Sequence, residues 1–209
     1  MVNYLKNKDE FLRLVIDNIH RDGINELINY LSNESDFFEA PASTQYHGSY
    51  VGGLCEHSLN VYYSLIEELS FIFGKNWEKR YSRESVAIVS LFHDLCKIGR
   101  YKKSYKNVKN SETGIWEQKE TFVYDDTYFC MGHASLSLHR IKQFIDLSDD
   151  EAQAIYWHMG AFDISQYSDT KSLCNAYKKN TLAFALHRAD EVATFICENQ
   201  YFEPVNEED

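Results

Sequence analysis

Val86-Ala87-Ile88-Val89-Ser90-Leu91-Phe92-His93-Asp94-Leu95-Cys96-Lys97-Ile98-Gly99 is the stretch that decides the fold. Val86, Ile88, Val89, Leu91 and Phe92 are spaced for a helix, and Ser82 and Ser85 stand upstream as N-cap oxygens. The helix is expected to carry His93-Asp94 and to end near Gly99. Neighbouring helical residues point about 100° apart, so the pair cannot share one stripe. At a helix end the two can nevertheless flank an ion, with the carboxylate free to use both oxygens. Asp94 would then bridge two ions while His93 binds one.

The same kind of polar intrusion recurs elsewhere along the chain. His57 lies in Gly52-Gly53-Leu54-Cys55-Glu56-His57-Ser58-Leu59, and His133 and His158 also sit among small or apolar neighbours. A ring set against a core needs a partner, and metal coordination supplies one. Asp190 lies in Leu186-His187-Arg188-Ala189-Asp190-Glu191-Val192-Ala193, where a buried carboxylate without a cation is costly. Four imidazoles and two carboxylates form a donor set for two neighbouring divalent transition-metal ions. His20 and His139 carry only an ordinary structural reading.

Around these residues the pattern is mainly helical. Helices are expected from residues 8 to 33 in two pieces, from 54 to about 73 with Gly74 as a stop, from 132 to 145, from Ser148 to about His158, and from 180 to 198. Residues 100–128 differ, with aromatic and β-branched residues on both sides of Asn110-Ser111-Glu112-Thr113-Gly114 predicting a β-hairpin. The expected architecture is an all-α helical bundle with one inserted hairpin. It forms a single domain over residues 1–209, with its core at about 45–197 and a frayed acidic tail at 203–209.

A length of 209 residues, with 44% hydrophobic and 15% aromatic side chains, suits one domain with a sizeable core, and two prolines leave helices uninterrupted. The net charge of −11 argues against a sequence-independent DNA coat or a general binder of anionic membranes. Lys97, Arg100, Lys102, Lys103, Lys106 and Lys109 nevertheless follow one another with no acidic residue between them. That run is either a solvated loop or a local anion patch. Five cysteines (Cys55, Cys96, Cys130, Cys174, Cys197) without a CxxC, and no apolar leader or spanning run, predict a cytoplasmic protein with reduced thiols. Cys96 reads as a small buried apolar residue.

The ordered set His57, His93-Asp94, His133, His158 and Asp190 resembles the HD-domain superfamily of metal-dependent phosphohydrolases. His93-Asp94-Leu95-Cys96-Lys97-Ile98-Gly99 is similar to the HDxxKxG signature. Residues 52–59 resemble the first-histidine helix, and residues 186–190 the last-ligand helix. The resemblance implies that His57, His93, Asp94 and Asp190 hold one ion, and that Asp94, His133 and His158 hold a second. The ion is expected to be Mn, Fe, Ni, Co or Zn. The flanking strings look closest to the branch of 3′→5′ exoribonucleases and relaxase-associated HD domains. No OB domain of the kind those nucleases carry is expected within these 209 residues, so a small nucleotide or phosphoester is expected rather than long nucleic acid.

Two divalent ions against two carboxylates leave about +2, which draws phosphate into an acidic protein, and a water between them would attack phosphorus. Asp94 and Lys97 are the expected catalytic residues, with Lys97 binding a phosphate oxygen or helping the leaving group. Arg100, His47, His187 and Arg188 are candidate substrate contacts; His187 also suits a partner of a ligand. Tyr101, Tyr105, Trp116 and Tyr124 either stack on a base or pack the hairpin. Two other functions use the same six residues. One is an HD-fold diiron oxygenase, and the other a non-catalytic metal- or nucleotide-binding module. A homo-oligomer is compatible with each.

Overall fold

A computed structural model of the protein describes residues 4–110, 113–125, 127–128, 131–164 and 167–199, except the side chains of residues 167 and 168. Ser111-Glu112 of the expected turn, Cys130 and the expected tail at 203–209 lie outside the described residues.

The fold is mostly helical with one small antiparallel sheet. In chain order come α1 (Tyr4–Asn18), α2 (Ile24–Asn29), α3 (Gly53–Phe73), α4 (Arg83–Phe92), β1 (Tyr101–Lys109), β2 (Trp116–Tyr124), α5 (His133–Ile141), α6 (Asp149–Trp157), α7 (Tyr167–Lys179) and α8 (Thr181–Val192). Wide i→i+5 turns extend α2 over Tyr30–Glu34 and α8 over Ala193–Cys197.

α4 is the centre of the packing. Every residue from Val86 to Phe92 is buried, because α3, α6 and α1 all lie against it. α3 carries Leu54, Leu59, Val61, Leu65 and Leu69 inward and packs on α8 as well. A helix apolar on several faces needs such company, and this one has it. Its start depends on Gly53, where a Cβ would stand 2.0 Å from the Gly48 carbonyl oxygen. The loop at 42–50 is thereby held against the first turn of α3.

The caps follow the sequence. Ser82 Oγ accepts from the Ser85 amide at 3.0 Å, and Ser148 and Glu151 form a reciprocal capping box. Glu151 does more than cap α6. Its buried carboxylate takes both arms of Arg21, at 2.7 and 2.9 Å, and Arg21 also reaches Glu84 at 3.1 Å. One guanidinium thus ties the α1–α2 turn to α4 and α6.

The expected helix through His93-Asp94 ends earlier than the periodicity predicts. α4 stops at Phe92, Asp94 leaves helical geometry (φ −108°, ψ 19°), and Leu95–Lys97 forms a separate tight turn. The His93 ring satisfies one of the carbonyls this break frees, with Nδ1–H donating to Ser90 O at 2.7 Å. α7 was not expected, since its sequence is polar; among its described side chains Leu173 and Ala176 are buried and Tyr177 packs partly against the core. Among the described residues no helix is long and apolar enough to cross a membrane.

Candidate metal centre

Six side chains from five helices meet at one buried point. His57 comes from α3, His93 and Asp94 from the end of α4, His133 from the first position of α5, His158 from the end of α6, and Asp190 from α8. The break after Phe92 is what lets His93 and Asp94 face the same point. α5 fixes the segment that follows. Arg140 Nη1 donates to the carbonyls of Leu95 and Ile98, each at 2.9 Å, and Ser137 Oγ accepts from the Cys96 amide at 3.0 Å.

Three rings are anchored through Nδ1 and present Nε2. His93 Nδ1 donates to Ser90 O, His158 Nδ1 to Ile155 O at 2.6 Å, and His57 Nδ1 to Glu198 Oε1 at 2.9 Å. Such outer contacts fix the ring orientation and tautomer of metal-ligating histidines. His57 Nε2 then lies 3.1 Å from Asp190 Oδ1, and His158 Nε2 is 3.2 Å from His133 Nε2. His93 Nε2 is buried with no hydrogen-bond partner among the described residues. An orphaned ring nitrogen of this kind costs about 1–3 kcal/mol unless something binds it.

The two oxygens of Asp94 serve different sides. Oδ2 faces His57 (3.6 Å), His93 (3.5 Å) and Lys97 Nζ (2.6 Å). Oδ1 faces His133 (2.7 Å), His158 (3.7 Å) and the Cys96 thiol (3.9 Å). Three groups at this point have donor atoms within 4.8 Å of one another: His57, His93 and Asp94; Asp94, Cys96 and His133; and, without Asp94, His93, His158 and Asp190. Imidazole nitrogens and carboxylate oxygens in this mixture suit divalent transition metals. The donor set and the orphaned nitrogen both fit such ions, and these residues could hold them.

The electrostatics follow from burial opposed by charge. Burial favours neutral Asp94, yet Lys97, His93 and His133 hold it well below the usual carboxylate range. Burial works against the Lys97 ammonium, but Asp94 holds it above its ordinary value. Burial likewise opposes charge on His57, and Glu198 and Asp190 overcome it, pushing its pKa up to about 10. Burial alone dominates at His93, which is depressed to about 4, and at Cys96, whose thiol is pushed up to about 12.

The remaining candidates divide. His47 packs its ring 4.9 Å from that of His57 and groups with His57 and Glu198 at ligand distance. His187 does not face the cluster directly; its Nδ1 donates to the His158 carbonyl at 2.7 Å, and its ring lies where a Gly160 Cβ would stand, 2.5 Å away. Arg100 lies over the rings of Tyr124 and Tyr128. Arg188 is turned to the surface, paired with Glu68 at 3.0 Å, and is not brought to the cluster.

Glu198 and Cys96 are the residues the sequence reading did not place at the site. On a regular helix Glu198 would stand about 80° from the face of Asp190. The wide turn over Ala193–Cys197, closed by the Glu198 amide on Ala193 O at 3.0 Å, adds one residue and brings it back. Beside His47 and Glu198 opens a cleft of about 720 Å³, walled by the 45–50 loop, the hairpin and the end of this turn. Tyr46, Lys106, Lys119 and Phe195 line it with them.

Compared with known proteins, the chain matches no protein-family model, and no curated protein or solved structure is significantly similar to it.

Proposed function

We propose that the protein is a metal-dependent phosphohydrolase of the HD-domain type, acting on a nucleotide or another small phosphoester at a binuclear centre. The observation that carries this reading is Asp94. Its two oxygens face separate sets of histidines, as a carboxylate shared by two ions must, while Lys97 is ion-paired to it. The ordered resemblance of residues 52–59, 93–99 and 186–190 to HD-domain signatures supports the same assignment.

On this reading His57, His93 and Asp190 would hold one ion with Asp94, and His133 would join Asp94 at the other. His158 stands between the two sets, 3.2 Å from His133 and grouped with His93 and Asp190. Bound ions supply Lewis acidity, lowering the pKa of water and offsetting the charge on phosphate. The chain's own residues do the positioning. Glu198, Ser90 and Ile155 hold three rings in one orientation each, and Arg140 keeps Lys97 in place by gripping its turn. Lys97 is a fixed positive charge that suits a nonbridging phosphate oxygen.

Metal analysis of protein purified from its host, joined to a phosphatase and phosphodiesterase panel with Mn²⁺ and Fe²⁺, tests this. Hydrolysis abolished in Asp94→Ala and slowed about a hundredfold in Lys97→Met is the expected result. Oxygen uptake with no phosphate release sinks the proposal.

A further inference from the structure

We propose that the cleft beside the metal centre is a substrate channel, and that Lys106 and Lys119 clamp a second phosphate of the substrate, away from the bond that is cut. The substrate class is therefore a nucleotide or short oligonucleotide with at least two phosphates. This inference rests on the phosphohydrolase reading of the centre.

The hairpin register supplies the first argument. Lys106 and Lys119 are directly opposed on antiparallel strands. Opposed side chains lie about 4.5–5.5 Å apart at Cβ, and like charges in that position destabilise the pair. The neighbouring carboxylates do not relieve it. Glu120 is bonded to Lys103 at 3.3 Å, Glu117 accepts from Asn110 at 2.9 Å, and Asp125 lies 3.9 Å from Lys102. Among the described residues neither Lys106 nor Lys119 has an ion-pair partner. Two ammonium groups held side by side match one phosphate, which lysine binds as a point charge.

The second argument is location. Of the hairpin's lysines, Lys106 and Lys119 are the two that line the cleft, and His47 and Glu198 line the same cleft. Those two lie at ligand distance from His57. One space therefore adjoins both the cation pair and the centre. Tyr46, 77% exposed, and Phe195, 56% exposed, line the same cleft as large rings left open to solvent. Exposed rings beside a pair of ammonium groups offer faces on which a base stacks. Glu120 and Glu198 also line the cleft, but Glu120 is paired with Lys103 and Glu198 with His57, which leaves the two ammonium groups as the cations without an ion-pair partner on the hairpin wall among the described residues.

The test uses the full chain loaded with Mn²⁺, with adenosine 3′,5′-bisphosphate and adenosine 5′-monophosphate as probes in calorimetric titrations. Lys106→Glu/Lys119→Glu is expected to weaken the bisphosphate about tenfold, about 1.4 kcal/mol, and to leave the monophosphate unchanged. High salt removes the difference. Lys106→Glu alone faces Lys119 with an opposite charge, so its melting temperature holds or rises while bisphosphate affinity falls; this separates binding from folding. Equal weakening of both probes, or of neither, overturns the clamp. The two readings fail separately. If wild-type protein cleaves no phosphoester yet shows the selective loss, the hydrolase falls and the clamp stands. If it cleaves phosphoesters but the variant binds both probes normally, the clamp falls alone.

Discussion

Glu198→Gln and Glu198→Ala separate geometry from charge at the His57 anchor. Glu198 Oε1 accepts from His57 Nδ1 at 2.9 Å and from Asn60 Nδ2 at 3.0 Å, while Oε2 is buried with no hydrogen-bond partner among the described residues. Glutamine can keep both bonds through its carbonyl oxygen and place its amide nitrogen where Oε2 stood, so it removes chiefly the charge. Alanine removes the acceptor as well and leaves the ring free to turn. Loss of such an outer partner costs ten- to a hundredfold in metal affinity, about 1.4–2.7 kcal/mol. We expect glutamine near the lower figure and alanine near the upper. Affinity for Zn²⁺ or Mn²⁺ is measured by competition with a fluorescent chelator at neutral pH, with circular dichroism to confirm an unchanged fold. Asn60→Ala, which loosens Glu198 without touching His57, should weaken binding only a few-fold. Unaltered affinity in Glu198→Ala refutes the anchoring role, and equal losses in both Glu198 variants refute the division into geometry and charge.

Arg21→Met leaves the buried Glu151 carboxylate without its guanidinium and should cost about 3 kcal/mol, lowering the melting temperature by about 6–12 °C. Burial opposes the charge on Glu151, but Arg21 lowers its folded pKa below the ordinary value, so the pair stabilises above that value and is lost as pH falls through the lowered one. The gap between variant and wild type, followed by thermal melts, should narrow as the pH falls from the ordinary carboxylate range through the lowered value. His133→Ala should bind one ion where wild type binds two, counted by elemental analysis; an unchanged count removes His133 from the ligand set. A crystal structure of the loaded protein should show ions about 3.5–4 Å apart. Gly160→Ala places a Cβ against the His187 ring and strains a backbone with φ +55°. It should lower both stability and metal affinity, whereas a loss of stability alone would confine His187 to packing.

Much of the helical frame was legible because its signals are local. The apolar run ending at Phe92, the serine caps and the length of α3 all depend on a few adjacent residues. The hairpin could be read from its aromatic and β-branched flanks, and the observed strands fall within the expected span. The six candidate ligands were visible as polar intrusions in apolar strings, and the fold brings all six to one point. Other features depended on longer-range geometry. α7 escaped because its polar surface outweighs Leu173 and Ala176, the buried residues among its described side chains. Glu198 escaped because regular helical periodicity turns it away, and only the wide turn at Ala193–Cys197 restores it. Arg188 looked like its neighbours in the string around Asp190, yet one position on a helix separates a buried face from a surface ion pair.

The three ring anchors are not equally open to change. His93 and His158 hang from the carbonyls of Ser90 and Ile155, and a main-chain acceptor survives substitution of the residue that carries it. Drift at positions 90 and 155 therefore leaves those rings where they are so long as the helices stand. His57 alone among the three hangs from a side chain. Position 198 is the one dial on this side of the centre. A shorter, longer or uncharged residue there would retune a single candidate ligand while the other two stay fixed, so the affinity of a bound ion could be adjusted gradually without dismantling the site.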